Sequence, residues 1–434
     1  MASDSSPVDA SPSLPAWLAR PFARARRAVL TDDLLHHGGL MAGATVVSGG
    51  FNYTYQVLVG RALGPEQYGV FGALFALFYL ANVLGRGIRF SASRFSAEYD
   101  GRRASVAPFY RGLLVRTLLF SAVVFVVLAA TSSTIGSFLG VDSAWLVLLA
   151  VASVPVGLTL TANQGSMQGL QWFGPLGGYK ILLSGVKLAL AVVLLVLGFG
   201  VYGAFGAVVL ATLLVLVAST LHLRLRLPQV EPATAIDYRR AYRYVPPAVL
   251  AGFCLTVPGT VDVIVAQHFF AGPAAGRYTA VTVLGKILVF LPLGVCAAMF
   301  PKVSHGNAVA DDTRLDGLLR RALLYAGGIA GAGAALYVLA PRTTLHLFFG
   351  AEYAAAASLL RWYGVATLAF SLAAVVLNFE LARDRLRYVY VFAAGSVVEM
   401  GLLWVAHGLL VSMAQVVLLV NTALLGFGLY EVRR

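Results

Sequence analysis

Apolar runs of about one bilayer thickness recur along the chain, each closed by a short polar or basic break. The pattern is plainest over residues 60–111. There the polar turn Arg61 to Gly69 leads into an apolar run that ends in Arg86, Arg89 and Arg94. A helix needs about 20 apolar residues to cross hydrocarbon, and in lipid it satisfies its backbone hydrogen bonds within its own segment. The spacing predicts twelve spans, near 38–60, 70–90, 112–131, 144–162, 176–198, 201–221, 246–267, 278–300, 321–340, 359–380, 387–406 and 409–430.

The plan then repeats. Gly64-Pro65 ahead of Tyr68 returns as Gly272-Pro273 ahead of Tyr278, and a second apolar run ends in a polar segment with Arg320 and Arg321. Tyr68 and Tyr278, Arg111 and Arg321, and Gly140 and Gly350 share an offset of 210. A fixed offset at three separated landmarks predicts a duplicated half, as in many transporters. Six spans per half give both halves one orientation, with the pseudo-twofold axis along the membrane normal. The expected fold is an all-α polytopic membrane protein with 12 transmembrane helices in two parallel-repeat six-helix bundles. Its expected parts are a cytoplasmic segment 1–37, a bundle 38–221, a linker 222–245, a bundle 246–430 and a tail 431–434.

Composition agrees with that class. Hydrophobic residues make up 59% of the 434 and charged residues only 12%, about half the usual charged share of a globular domain. The formal charge of +13 reads as a positive-inside bias and not as a nucleic-acid surface. Arginines cluster in the N-terminal flank, the 2–3, 6–7 and 8–9 segments, the 10–11 turn and the tail. The opposite loops hold only Arg61, Arg277, Arg342 and Arg361. Both termini are therefore expected in the cytoplasm of a cell (plasma or inner) membrane. Residues 1–15 are Ser/Pro/Asp-rich and expected to be disordered, with no signal-peptide pattern. Residues 16–30 mix Trp17, Leu18 and Phe22 with four arginines, which suits either an interfacial helix or a plain basic flank.

Soluble-enzyme chemistry finds little support. No GxxxxGK[ST] phosphate loop occurs, the seven His show no paired spacing, and Asp311-Asp312 stands in a basic hydrophilic loop. No cofactor is expected, beyond a coupling ion such as H+ or Na+. Cys254 and Cys296 fall in apolar segments and read as small packing residues. The informative residues are ionisable groups inside spans, which are costly in hydrocarbon and so face a cavity or a partner. They are Arg86, Arg89, Arg116, Lys187, Asp262, Lys286 and Glu399. Arg89 and Arg116 stand close enough to the cytoplasmic face to snorkel. Lys187 suits a cavity or a structural pair, and Glu399 suits pairing with a neighbouring span. Arg86 and Lys286 are the best cavity candidates. Asp262 and Lys286 flank the turn at Gly272-Pro273 at depths of roughly 9 and 13 Å, so their side chains can meet. Interrupted helices are expected at Gly49-Gly50 with Asn52 in span 1, and at Pro258-Gly259 in span 7.

VGRALGPEQYGVFGALFAL, Asp262 with Gly276-Arg277-Tyr278, and FLPLGVCAAMFPKVS resemble the polysaccharide transport (oligosaccharide flippase) family of the multidrug/oligosaccharidyl-lipid/polysaccharide exporter superfamily. The likeness spans about residues 38–430. It implies a flippase that moves a polyprenyl-(pyro)phosphate-linked oligosaccharide from the cytoplasmic to the outer leaflet by alternating access. Its partners would be that lipid-linked anionic glycan, the bilayer and, as candidates, other polysaccharide-assembly proteins, with no nucleic acid. Asn82 to Arg86 resembles the end of span 2 in related lipid II flippases, where a basic residue lines the cavity, and this assigns the head-group role to Arg86. Span 1 lacks the Arg-Asp pair those flippases place at its inner end. The expected substrate-binding set is Arg86, Lys286, Asp262, Lys187, Arg89 and Asn52. Two other classes stay open: a cation-coupled multidrug exporter of the same superfamily, and a membrane-embedded assembly protein without transport.

Overall fold

A computed structural model of the chain describes residues 33–100, 106–227, 238, 245–270, 272–290, 292, 312–383, 385 and 387–433. The segments 1–15 and 16–30, most of the 222–245 linker and the last part of span 8 with its FLPLGVCAAMFPKVS phrase lie outside the described residues.

All regular structure among the described residues is helical. The N-terminal half comprises α1 (Asp33–Ala81), α2 (Val83–Asp100), α3 (Val106–Ala130), α4 (Ser132–Leu139), α5 (Ala144–Gly169), α6 (Phe173–Val196) and α7 (Gly200–Arg226). The C-terminal half comprises α8 (Val245–Thr256), a 3-10 turn Val257–Gly259, α9 (Val261–Phe270), α10 (Gly272–Phe290), α11 (Asp312–Leu339), α12 (Pro341–Phe348), a second 3-10 turn Ala351–Ala356, α13 (Ala357–Ala382), α14 (Arg387–Val405) and α15 (Leu410–Arg433).

Nine of these stretches are long and apolar enough to cross a membrane. One of the nine, Gly38–Asp100, contains two predicted spans. At Gly64 the backbone takes φ 70, ψ 171, and this single residue replaces the longer turn expected over 61–69. A left-handed residue followed by Pro65 suits glycine because a Cβ would clash. The chain doubles back here: the Tyr55 and Phe71 rings lie 6.1 Å apart, and Tyr68 Oη donates to Gln56 Oε1 at 3.4 Å. Spans 7 and 8 escape the count because α8 and α9 are divided at Pro258 and span 8 is described only to Phe290 and at 292. The described residues therefore do not reach the expected twelve.

Packing repeats between the halves. In the first half, α5 packs on α2, α3 and α7, while α6 packs on α1 and α7. In the second, α13 packs on α10, α11 and α15, while α14 packs on α8, α9 and α15. These are the same partnerships at matching positions, so the two bundles are parallel repeats. They meet where α1 crosses α9 and α10 and where α2 meets α8. The α1–α10 crossing is made by small residues. A Cβ on Gly276 would run into the Pro65 carbonyl oxygen, and one on Gly69 would stand 2.9 Å from the Gly276 nitrogen. Close backbone approach through glycine is how membrane helices gain packing where no hydrophobic drive separates them from lipid.

Interruptions fall differently from expectation. The Pro258-Gly259 break is present as a 3-10 turn. α1, however, runs unbroken through Gly49-Gly50, since two glycines without a proline leave every backbone hydrogen bond available. The interruption in that half is at Asn82, between α1 and α2.

Gly276→Val should cost about 1–3 kcal/mol through overpacking and lower the unfolding temperature in detergent. Gly328→Ala, whose Cβ would meet nothing within 4 Å, should be neutral or slightly stabilising in the same melt.

Candidate functional site

Two lysines on α6, Lys180 and Lys187, are seven residues apart and so share a face. Thr45 and Asn52 on α1 have the same spacing, and the two helices meet in register. Lys180 Nζ donates to Thr45 Oγ1 at 2.9 Å, and Lys187 Nζ donates to Asn52 Oδ1. These make two rungs about 10 Å apart along the helices. The deeper rung is closed: Lys187 is 8% exposed, and its ammonium stands 4.4 Å from the Tyr55 ring centroid. Asn52 Nδ2 donates to the Ser48 carbonyl at 2.8 Å, which turns Oδ1 toward the lysine. Tyr55 is fixed through its hydroxyl to the Ala204 carbonyl at 2.9 Å. The structure thus brings together two expected residues, Asn52 and Lys187. Lys180 was missed by sequence reasoning, and its seven-residue spacing from Lys187 was the available signal.

Arg86 and Arg89 follow the Asn82 break. Asn82 Nδ2 donates back to the Phe78 carbonyl at 2.8 Å, and the Gly85 amide donates to the Asn82 carbonyl at 3.0 Å, so the helix resumes at once. Arg86 is exposed and lays its stem against Gly252 of α8, where a Cβ would fall 2.9 Å from Cδ. Arg89 Nε donates to Gln168 Oε1 at 3.1 Å. That bond orients the guanidinium beside a cavity of about 460 Å³ lined by Arg89, Phe90, Ser93, Arg94 and Gln168. Arg86 and Lys180 both lie close enough to repel Arg89. Three cations gathered in this way favour an anionic ligand. Arg116 stands apart from them: its guanidinium covers the Tyr238 ring at 3.6 Å.

The second bundle carries buried acid. Asp262 is fully buried at the start of α9. Its Oδ2 accepts from Tyr363 Oη at 2.7 Å and Tyr278 Oη at 3.2 Å, and Oδ1 accepts from the Val263 amide at 2.9 Å. Lys286, half-buried two turns beyond Tyr278, acts on this carboxylate through space without a direct hydrogen bond. The pairing expected from depth is thus an electrostatic proximity, and two tyrosines take the contact positions. Sequence reasoning had no means to see them, because their spacing along the chain is irregular. Glu399 on α14 is 1% exposed, and neither carboxylate oxygen has a hydrogen-bond partner among the described residues. Its charge also bears on Asp262, Tyr278 and Tyr363.

Two repeated helical bundles with ionisable side chains inside their spans define a multi-pass membrane protein with the fold of the MOP-superfamily transporters. The chain superposes on an inward-facing multidrug resistance MATE family transporter of that superfamily with TM-score 0.78 and 16% identity, over 88% of this chain and 93% of the other. A MOP superfamily transporter from Pyrococcus furiosus, described as having a binding pocket of reverse polarity, gives 0.67 at 16% identity over 92% and 94%. An outward-facing MATE structure gives 0.65 at 15% over 92% and 94%. No functionally curated protein sequence matches the chain. The family model for polysaccharide biosynthesis protein matches residues 34–306, and the chain belongs to that family.

Tyr363→Phe removes the 2.7 Å donor to Asp262 and should cost about 1–3 kcal/mol in detergent unfolding. Lys286→Met removes only a charge at a distance and should cost less. The reverse order would mean that Asp262 depends on the lysine more than on the tyrosines.

Proposed function

We propose that this protein is a carrier that flips a polyprenyl-(pyro)phosphate-linked oligosaccharide from the cytoplasmic to the outer leaflet by alternating access. The observation that carries the reading is the cationic wall of the first bundle. Arg86, Arg89, Lys180 and Lys187 line it, and their described hydrogen bonds go to neutral oxygens of Thr45, Asn52 and Gln168. A phosphate-sugar head group is anionic and cannot cross hydrocarbon unaided, so a row of cations replaces its hydration. Membership of the polysaccharide biosynthesis family supports the same cargo class. Arg86 and Arg89 meet the head group first, and Lys187 lies deeper along the same wall. Lys286 adds a half-buried cation in the second bundle, close to Asp262. Polysaccharide-assembly proteins are the expected partners.

The bundles are assigned to 38–221 and 246–430, joined by the linker 222–245, with both termini in the cytoplasm. Cysteines introduced by Ser133→Cys or Ala354→Cys should react with an impermeant thiol reagent in intact cells, and one introduced by Asp311→Cys should not. The opposite pattern would invert the orientation.

A second reading, cation-coupled drug export, draws on the carboxylates Asp262 and Glu399 of the second bundle. In either case these groups are where a coupling H+ or Na+ would bind. The readings part at Arg86. For the flippase, Arg86→Ala should reduce glycan export by about 10-fold or more, the value of one charge-assisted hydrogen bond or more, at unchanged protein abundance. Arg86→Lys should keep part of the activity, because a point charge replaces a fork of donors. Cationic-dye efflux that depends on Asp262, with glycan export unaffected by Arg86→Ala, would select the exporter.

A further inference from the structure

Two short helices, α4 and α12, occupy matched positions of the repeat at the end of the bundles away from the chain termini. Each has eight residues, α4 being followed by Gly140 with φ 64 and α12 by Phe349 and then Gly350 with φ 106. The last carbonyls of a helix lack partners within it and form the negative end of its dipole. Here those carbonyls are taken by the opposite bundle. Phe138 and Leu139 at the end of α4 accept from His268 Nδ1 at 2.6 Å and Gln267 Nε2 at 3.1 Å, both on α9 of the second half. Phe348, Leu347 and His346 at the end of α12 accept from Arg61 of α1 in the first half. Nε donates at 2.8 Å to Phe348, and Nη2 donates at 2.5 Å to Leu347 and 3.4 Å to His346. In both cases the donor stands near the far end of the first span of one bundle, and the acceptor is the short helix of the other.

We infer that these two contacts form a reciprocal latch that holds the cleft shut at this end, and that both must release before it opens there. Three observations support a latch over static packing. The contacts are few, directional and aimed at backbone oxygens. Arg61 is exposed, so water can replace its bonds as they break, while Gln267 is buried and meets water only as the seam parts. The surfaces beneath are small: Gly69 against Gly276, and Gly72 against Thr279. This crossing parts without withdrawing large side chains, whereas beside the latches aromatic rings cross the seam, Tyr68 on Phe349 and Tyr353 and Phe138 on His268, and must part as the latches release. The latches also stand at matched positions of the two halves, so rocking one bundle against the other loads both. A further polar contact between the bundles, Tyr353 Oη to the Gly60 carbonyl at 2.7 Å, lies beside the Arg61 latch and strengthens that side. This inference rests on the alternating-access part of the proposed function and not on the cargo.

Thr279 reports the state of the seal. It is 4% exposed and faces Gly72 across the bundle interface. The reporter is Thr279→Cys in a Cys254→Ala/Cys296→Ala background, as full-length protein in nanodiscs, with a water-soluble maleimide as the probe. Arg61→Ala and Gln267→Ala should each speed labelling about 10-fold, and the double variant about 100-fold, since independent contributions to one equilibrium multiply. Arg61→Lys should fall between, because an ammonium cannot serve three carbonyls in the geometry of a guanidinium. Ser219→Cys, buried between α5 and α7 of one bundle, serves as the control for general loosening and should stay unreactive throughout. Unchanged labelling of Thr279→Cys in the double variant would overturn the latch. Equal acceleration at Ser219→Cys would overturn it as well. Because no cargo is present, failure here leaves the glycan reading standing, and failure of that reading leaves the latch standing.

Discussion

A charge inside hydrocarbon persists only where polar groups replace the water it has lost, and the interior of this protein is arranged around that requirement. Lys187 is given an amide oxygen and the face of a tyrosine. Asp262 is given two tyrosine hydroxyls and a backbone amide. Each arrangement draws its groups from at least two helices, so placing the charge also fixes those helices against one another. α1 is set on α6 in this way, and α9 is set on α10 and α13. Glu399 and the buried Glu380 of α13 are the exceptions, their oxygens having no hydrogen-bond partner among the described residues, and Glu399 lies near Asp262.

The two bundles share a fold and have diverged in charge. The packing partnerships of α1–α7 recur in α8–α15. The first bundle nevertheless presents cations held by neutral oxygens, whereas the second presents a carboxylate, Asp262, held by phenols. A duplicated scaffold permits this because the repeat is maintained by small residues and apolar packing, which are indifferent to what the cleft-facing positions carry. Lys286 is the cation of the second bundle that stands close to its acid, so both signs occur together there.

The bundles touch through close packing, which includes the rings of Tyr68, Phe349 and Tyr353, and through a second kind of surface made of hydrogen bonds. Glycines allow close backbone approach at the α1–α10 crossing, and polar side chains reach the carbonyl ends of the short helices α4 and α12. Close packing alone holds two bodies at one distance with little preference for orientation. Hydrogen bonds at the rim add orientation. A carrier that alternates between states needs contacts of that second kind, which can be exchanged for water.

Much of this was legible in the sequence, because lipid imposes long-range regularity on a chain. The length of apolar runs, the distribution of arginine and the 210-residue offset each follow from a constraint that acts on every span alike, and they determined an all-helical, two-bundle membrane fold. The same reasoning marked Lys187, Asp262 and Arg86 as costly residues in need of partners. The identity of those partners was decided only by tertiary structure. Tyr363 meets Asp262 from a helix about a hundred residues away, and Lys180 gains meaning only once α6 is laid beside α1. The break at Asn82 in place of Gly49-Gly50 was likewise settled by packing, since a glycine pair permits an interruption but does not force one. Periodicity along a chain reports which environment a residue must meet. The particular atoms it meets depend on helix register and rotation, and those are set by the packing of side chains that no single stretch of sequence contains.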